Sequence, residues 1–129
     1  MKPVRALLFA LALTSTSVAA VATDADAATG RCPQYEPLLA LYPRWNVQRM
    51  SRIMFRESRC SPFAYNGRNR DRSYGLLQIN TKTTPRLDLW GELQRRCGLV
   101  SRDQLFDPAV NIACAATLHR VYGYRPWSL

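Results

Sequence analysis

One acidic residue, Glu57, continues the apolar face of a predicted helix. The apolar residues of this helix recur at steps of three and four, as they do along an amphipathic helix: Val47, Met50, Ile53 and Met54. Glu57 keeps the same spacing, so we expect its carboxyl group to point into the protein body or a cleft. Burial disfavours a charged carboxylate and raises its pKa, which suits a general acid that works near neutral pH.

A structural role is the alternative for Glu57. Carboxylates near a helix end are commonly half-exposed and paired with arginine, and Arg56 and Arg59 are close in sequence. The helical position alone therefore leaves both a catalytic acid and a simple ion pair open.

The segment Ser73–Asn80 is the second stretch that could hold a ligand. It follows residues 61–74, which contain turn-forming and polar residues and are predicted to form a loop or small hairpin. Gly75 permits a positive φ or a close backbone approach. Gln78 and Asn80 lie among apolar neighbours and must form hydrogen bonds, either with the backbone or with a ligand.

Residues 1–27 have the features of a signal peptide. Lys2 and Arg5 precede a short apolar core, Ala6–Leu13, and small residues with Ala-x-Ala cleavage sites follow. The apolar run is too short to span a membrane stably. We therefore expect a single exported domain, residues 28–129, without stable membrane insertion.

The chain is strongly basic, with a net charge of +9 at pH 7. The predicted signal peptide contains two basic and two acidic residues, so its removal leaves this charge unchanged. An exported basic protein could bind an anionic cell-wall polymer, a membrane surface or nucleic acid. We expect no nucleic-acid partner, because the sequence has no recognition motif and no interleaved aromatic and basic surface.

The cysteine count suggests two disulfides, formed by Cys32, Cys60, Cys97 and Cys114. The first two predicted helices are joined by a short turn and should run antiparallel, which brings the start of the first beside the end of the second. Those ends carry Cys32 and Cys60, so we pair these two, and Cys97 with Cys114. We expect no metal site and no cofactor, because His119 is the only histidine and no cysteines stand two apart.

The predicted secondary structure is mainly helical. Apolar spacing and capping residues predict helices over residues 33–42, 47–58, 86–95 and 108–122. The predicted N-caps are Asn46, Ser101 and Asp107. The core positions predicted for the first, third and last helices are Leu38, Leu39, Leu41, Tyr42, Leu87, Trp90, Leu93, Val110, Cys114, Leu118 and Val121.

Three motifs resemble the lysozyme-like superfamily, and in particular its soluble lytic transglycosylase type. They are Phe55-Arg56-Glu57-Ser58, the Ser-Tyr-Gly-Leu-Leu-Gln-Ile-Asn string at 73–80, and Leu105–Ile112. Each motif is short, but their order and spacing are similar to those of the family. The resemblance implies a small, mainly α (α+β) lysozyme-like domain with a catalytic helix, a short loop or hairpin and a sugar-binding groove.

The resemblance also implies roles for four residues. In this family the glutamate before the serine is the sole catalytic acid and base, and Glu57 occupies that position. Ser58 matches the serine that supports the active-site hydrogen bonds. Gln78 matches the glutamine of the Gly-Leu-x-Gln segment that lines the sugar groove, and Asn80 lies beside it. For Ser58 and Gln78, local hydrogen bonding to the backbone is the competing interpretation.

The implied reaction is cleavage of the β-1,4 bond between N-acetylmuramic acid and N-acetylglucosamine in peptidoglycan. Glu57 would protonate the leaving oxygen, and the substrate's acetamido oxygen would stabilise the positive charge at C1. Ionised Glu57 would then take the proton from the C6 hydroxyl, which closes a 1,6-anhydro ring. Water in place of that hydroxyl would give a lysozyme-type hydrolase, and a non-catalytic wall-binding module is the other alternative.

Asp71 is not expected to act as a second catalytic acid. Animal-type lysozymes share the Tyr-Gly-x-x-Gln-Ile-Asn string and carry an aspartate directly before the tyrosine, where this chain has Ser73. Asp71 lies two residues earlier, about 6–7 Å away along a strand, so we expect it to pair with Arg70 or Arg72. The C-terminal aromatic residues could contact the glutamate or a sugar, or serve only in packing: Tyr122, Tyr124 and Trp127.

The basic charge fits the implied substrate, because peptidoglycan and its attached polymers are anionic. We therefore expect a secreted monomer that is extracellular or cell-wall associated. Its expected partners are the glycan strand and anionic wall polymers, and salt should weaken that attraction.

Overall fold

The computed structural model describes residues 30–128, and for Arg70 the backbone alone. The predicted signal peptide, 1–27, lies outside the described residues. Within the described range, none of the helices is both long and apolar enough to cross a bilayer.

Helices and short strands alternate along the described part of the chain, and these bounds confirm the prediction of a small, mainly helical α+β domain. The α-helices are α1 (Glu36–Leu39), α2 (Val47–Ser58), α3 (Leu89–Cys97) and α4 (Pro108–Tyr122). The strands are β1 (Tyr65–Asn66), β2 (Ser73–Tyr74), β3 (Ile79–Asn80), β4 (Thr83–Thr84) and β5 (Leu87–Asp88). Short 3-10 turns occupy Pro33–Tyr35, Arg68–Arg70, Arg102–Phe106 and Arg125–Trp127.

Helix α2 has the predicted bounds because both of its ends are capped. The side chain of Asn46 accepts a hydrogen bond from the Arg49 amide at 2.8 Å, which satisfies one of the free N–H groups of the first turn. At the other end Arg59 adopts a left-handed conformation, with a φ of 53°, that stops the helix. The apolar face between these ends is buried in the core: Met50, Ile53 and Met54.

The first and third helices are shorter than predicted. The segment 33–42 begins as a 3-10 turn and contains one α-helical turn that ends at Leu39. Helix α3 begins at Leu89 because residues 83–88 form the β4–β5 hairpin, which the sequence analysis did not predict. Asp88 ends this hairpin and caps α3, since its Oδ1 accepts a hydrogen bond from the Gly91 amide at 2.9 Å.

Three of the predicted core positions are wrong. Leu41 is 67% exposed, Leu87 is 44% exposed and Val121 is 43% exposed. Leu41 follows the end of α1 and Leu87 lies in β5, so helical spacing does not set the direction of either side chain. Val121 lies in the last turn of α4 and faces solvent.

A three-stranded antiparallel sheet, in the order β1-β2-β3, carries the second predicted motif. The β1–β2 pair confirms a hairpin within residues 61–74, with Asn66 opposite Ser73. Ser73 in turn lies opposite Asn80 of β3, a strand that was not predicted. The turn between β2 and β3 is anchored in the core by Leu76 and Leu77, which are both fully buried.

Asn111 of α4 joins this turn to the helical part of the protein. Its side chain is fully buried. Its Nδ2 donates to the carbonyl oxygens of Tyr74 and Leu105, each at 2.9 Å, and its Oδ1 accepts from the Leu77 amide at 3.0 Å. Gly75 lies against the same side chain with a φ of +73°, and a Cβ there would be 2.4 Å from Asn111 Nδ2. Both properties expected of Gly75, a positive φ and a close approach, are therefore present.

Both predicted disulfides are confirmed. Cys32 bonds to Cys60, and Cys97 bonds to Cys114. The first bond fastens the start of the described chain to the residues after α2, and the second joins α3 to α4. Each closed loop is expected to stabilise a chain of this size by about 3–4 kcal/mol.

An aromatic cluster connects the end of α4 to the start of α2. The hydroxyl of Tyr124 accepts a hydrogen bond from the Asn46 amide at 2.8 Å, and the guanidinium of Arg49 lies 3.8 Å from the centre of the Tyr124 ring. His119 packs between Tyr124 and Trp45, with ring centres 4.6 and 5.7 Å away. Tyr124 therefore contributes to packing and to the N-terminal cap of α2.

Replacement of Asn111 by leucine is expected to destabilise the fold strongly. The change leaves the Leu77 amide without an acceptor and the carbonyl oxygens of Tyr74 and Leu105 without this donor. A buried polar group that loses its partner costs about 1–3 kcal/mol, so the free energy of unfolding should fall by about 3 kcal/mol or more. Urea denaturation followed by circular dichroism measures this loss.

Gln94→Leu is the matched control, because it makes a similar change of amide to apolar side chain at an exposed position of α3. We expect it to alter the free energy of unfolding by less than about 0.5 kcal/mol. Equal losses in the two variants would show that the Asn111 bonds do not hold the turn in place.

The pKa of His119 is lowered from its ordinary value of 6.5, because burial disfavours the imidazolium and the positive charge of Arg49 repels it. The unfolded chain then binds more protons than the folded protein just below pH 6.5. The free energy of unfolding should therefore fall as the pH drops through this range, before the carboxylates begin to titrate.

An NMR titration measures this pKa without overlap, since the chain has a single histidine. A midpoint at or above 6.5 would contradict the expectation. His119→Gln, which cannot titrate, should lose the pH dependence of stability between about pH 6.5 and 5.5.

Candidate functional site

A groove with a volume of about 580 Å³ lies among β3, α3, the end of α4 and the turn at 125–127. Its walls are largely apolar, with leucine side chains from β5, α3 and α4 together with Trp127. Polar side chains are few: Gln78, Asn80, Glu92, Tyr122 and Arg125. Apolar walls with a small number of fixed polar groups are typical of ligand-binding sites.

Gln78 lines this groove and is held firmly by the backbone. Its φ is +45°, a conformation that costs energy for a residue other than glycine and is found disproportionately at functional sites. Its Nε2 donates to the carbonyl oxygens of Ala64 at 3.1 Å and Gly75 at 3.0 Å. Its Oε1 accepts no hydrogen bond from the side chains and backbone that the structure describes, so this atom is free to accept one from a ligand. Gln78 therefore forms the local backbone hydrogen bonds of the competing interpretation and also lines the groove.

Asn80 also lines the groove, and Asp71 lies beside it. The Oδ1 of Asn80 accepts a hydrogen bond from the Lys82 amide at 3.0 Å, and its Nδ2 is 3.5 Å from Asp71 Oδ1. The expected ion pair with Arg72 is not formed in the described part of the chain. The register explains this, because Ser73 pairs with Asn80 and so brings Asp71 close to the neighbouring strand.

Glu57 is half-buried, and its closest partner is an arginine rather than an apolar wall. Its side chain is 26% exposed, and its Oε1 accepts hydrogen bonds from Arg56 Nε at 3.0 Å and Nη2 at 2.8 Å. The ion pair that the sequence left open as an alternative is therefore present. Glu57 lies in the last turn of α2, and it is not among the residues that line the groove.

Arg56 connects Glu57 to the wall of the groove. The same Nη2 that bonds to Glu57 also donates to the carbonyl oxygen of Trp127. The Glu57 carboxylate and this carbonyl are thus at most about two hydrogen-bond lengths apart. Trp127 lines the groove and is 6% exposed, with its Nε1 donating to the Leu77 carbonyl at 2.9 Å. Trp127 is thus packed into the wall by hydrogen bonds at both its backbone and its ring.

Ser58 makes the local bond that was the competing interpretation. It is buried, and its hydroxyl donates to the carbonyl oxygen of Met54 at 3.0 Å, as serine commonly does within a helix. Ser58 does not line the groove. The structure therefore brings Gln78 and Asn80 together in the groove, and it places Glu57 and Ser58 on α2, outside the groove lining.

Glu92 is a groove residue that the sequence analysis missed. Its Oε1 accepts hydrogen bonds from the hydroxyl of Tyr122 and from Arg96 Nε, the latter at 2.8 Å. The Tyr122 bond and the arginine charge hold the pKa of Glu92 below its ordinary value of 4.5, although burial acts in the opposite direction. In sequence, Glu92 and Arg96 look like an ordinary surface pair four residues apart. The hydrogen bond from Tyr122 distinguishes Glu92 from such a surface pair, and no pattern in the sequence predicts this bond.

These groups fit a sugar-like ligand better than an ionic one. Apolar walls suit the faces of sugar rings, and the free Oε1 of Gln78 suits their hydroxyl and N–H donors. Within residues 30–128, no three side chains of histidine, cysteine, aspartate or glutamate lie close enough together to hold a metal ion.

The chain matches the family described as "Transglycosylase SLT domain" over residues 43–124. Comparison with curated proteins and with solved structures gives no match. The matched range is more than half of the chain and contains α2, the three-stranded sheet, the groove residues Gln78, Asn80 and Glu92, and Glu57 itself. This chain therefore belongs to the transglycosylase SLT domain family.

Proposed function

We propose that this protein is an exported lytic transglycosylase that cleaves the bond between N-acetylmuramic acid and N-acetylglucosamine in peptidoglycan, with Glu57 as its one catalytic acid and base. Membership of the family supports a peptidoglycan-acting, lytic transglycosylase-like function in general. One observation carries the finer proposal: Arg56 holds the Glu57 carboxylate beside the Trp127 carbonyl at the wall of an apolar groove.

The reaction begins when a glycan strand enters the groove. Gln78 Oε1 accepts a hydrogen bond from a hydroxyl or N–H group of the glycan. The bond to be cleaved lies on the side of the glycan nearer to Glu57. To act as an acid, Glu57 must carry a proton, and its Oε2 can hold that proton while Oε1 keeps its bonds to Arg56. Arg56 can keep its bond to the Trp127 carbonyl while this happens, so it stays next to the carboxyl group.

The chemical steps need no second carboxylate. Glu57 donates its proton to the glycosidic oxygen as the C1–O bond breaks, and the acetamido oxygen of the muramic acid unit bonds to C1. The Glu57 carboxylate then takes the C6 hydroxyl proton, and O6 displaces the acetamido oxygen from C1. The product is a 1,6-anhydro sugar, and no water is consumed. Arg56 would stabilise the carboxylate between the two steps.

Hydrolysis with two carboxylates is the second candidate, and the place of Asp71 favours it. Asp71 lies next to Asn80, which lines the groove, so a second carboxylate is close to the groove. In a retaining hydrolase the second carboxylate forms a covalent bond to C1, and water then releases the sugar. The two schemes differ in their products and in their need for Asp71.

Export is supported by two observations. Both cysteine pairs form disulfides, and such bonds persist in oxidising compartments outside the cytosol. The basic charge would attract the enzyme to anionic wall polymers. The predicted signal peptide at residues 1–27 is the third element of this proposal.

Glu57→Gln is expected to slow clearing of a peptidoglycan suspension by at least about 100-fold, because an amide cannot give and then take back a proton. Glutamine keeps the size of the side chain, so the fold should not change. Turbidity loss at equal protein concentration measures the effect.

Asp103→Asn is the matched control, since Asp103 is an exposed carboxylate outside the groove. It should clear the suspension at the wild-type rate. If Glu57→Gln clears as fast as the wild type, Glu57 has no part in the mechanism. A wild-type protein that binds the wall without clearing it would be a non-catalytic module.

Mass spectrometry of the digest should show 1,6-anhydro ends, which are one water lighter than reducing ends. We expect Asp71→Asn to give the same product at a rate within about threefold of the wild type, because the single-carboxylate scheme does not use Asp71. Reducing ends together with an inactive Asp71→Asn variant would assign the two-carboxylate hydrolase instead.

A further inference from the structure

The carboxylate of Glu92 is anchored through one oxygen and free at the other. Both of its hydrogen bonds, from Tyr122 and Arg96, go to Oε1. Its Oε2 accepts no hydrogen bond from the residues that the structure describes. Glu92 and Tyr122 both line the groove that contains Gln78 and Asn80. The Glu92 oxygen that has no protein partner among the described residues, Oε2, therefore belongs to a residue that lines the groove.

The anchoring is stronger than that of an ordinary surface pair. A pair four residues apart on an exposed helix face contributes little and is held loosely. Here the hydroxyl of Tyr122, from a different helix, fixes the same oxygen, and the Glu92 side chain is 23% exposed. The disulfide Cys97–Cys114 joins these two helices covalently. A carboxylate fixed in this way loses little freedom when a ligand binds to it.

The charges around Glu92 select a neutral donor rather than a cation. Arg96 already compensates the negative charge, and Arg125 also lines the groove. The low pKa of Glu92 keeps the group an acceptor across the neutral range. A sugar hydroxyl or an acetamido N–H supplies the donor without adding charge.

We propose that Glu92 is a substrate-binding residue whose Oε2 accepts a hydrogen bond from a hydroxyl or acetamido N–H of an N-acetylated amino sugar in the groove. Tyr122 and Arg96 hold the other oxygen and so set the direction of the first. This inference rests on the proposed function, since it takes the ligand to be a glycan. It adds a second binding point on α3 to the one that Gln78 offers next to β3.

The test measures binding of a tetramer of N-acetylglucosamine by calorimetry, in a Glu57→Gln background so that the probe is not cleaved. Addition of Glu92→Gln is expected to weaken binding about tenfold, because a bond to a charged acceptor is replaced by a weaker neutral one. Asp103→Asn in the same background should bind as the background protein does. Thermal unfolding of each variant shows whether the fold is kept.

Tyr122→Phe provides a second route that leaves Glu92 itself in place. It removes the hydroxyl that fixes Oε1, and we expect binding to weaken about threefold. In the otherwise wild-type enzyme, Glu92→Gln should raise KM about tenfold and leave kcat within about twofold. A residue that only stabilised the fold would lower the unfolding temperature without this pattern.

Unchanged tetramer binding in Glu92→Gln, with the wild type still clearing peptidoglycan, would overturn this inference and leave the proposed function standing. If the unmodified chain neither clears peptidoglycan nor binds the tetramer, both the proposed function and the inference about Glu92 are overturned. Weaker binding in Glu92→Gln with a normal unfolding temperature would establish Glu92 as a binding residue.

Discussion

The contacts of one buried amide, that of Asn111, fix the position of the groove. This side chain satisfies backbone groups on the turn between β2 and β3 and on the 3-10 turn before α4. Gly75 lies so close to it that no larger residue fits. Because Gln78 and Asn80 follow directly on that turn, their place relative to α4 depends on these bonds. The groove is thus built from short segments whose geometry comes from α4.

The sequence predicted best the parts whose signals are local. Helix α2 has a cap at Asn46 and an unbroken apolar face, so both of its ends could be assigned. The disulfide pairs followed from the antiparallel first helices and the cysteine count. The β4–β5 hairpin was missed because its strands have two residues each, too few for a pattern of alternation. Leu41 and Leu87 were misplaced because helical spacing was extended beyond the true helix ends.

The candidate site was predictable only in part, for a physical reason. Motif spacing and resemblance pointed to Gln78 and Asn80, and the structure places both in the groove. The same spacing predicted that the Glu57 carboxyl group points into the protein body or a cleft, but Glu57 is 26% exposed and is not among the residues that line the groove. Spacing could not reveal that Arg56 folds back onto the carboxylate and reaches Trp127. Glu92 is held at the groove by a hydrogen bond from Tyr122, which is 30 residues away in sequence. Contacts of this kind depend on the packing of two helices.

The disulfide between Cys97 and Cys114 has a mechanical consequence. The disulfide joins α3 to α4, and the Asn111 side chain joins α4 to the turn between β2 and β3. Two walls of the groove are therefore both attached to α4. A movement that separates α3 from the turn between β2 and β3 is therefore opposed by a covalent bond and by buried hydrogen bonds. A ligand would therefore meet walls whose relative position is largely set before it binds.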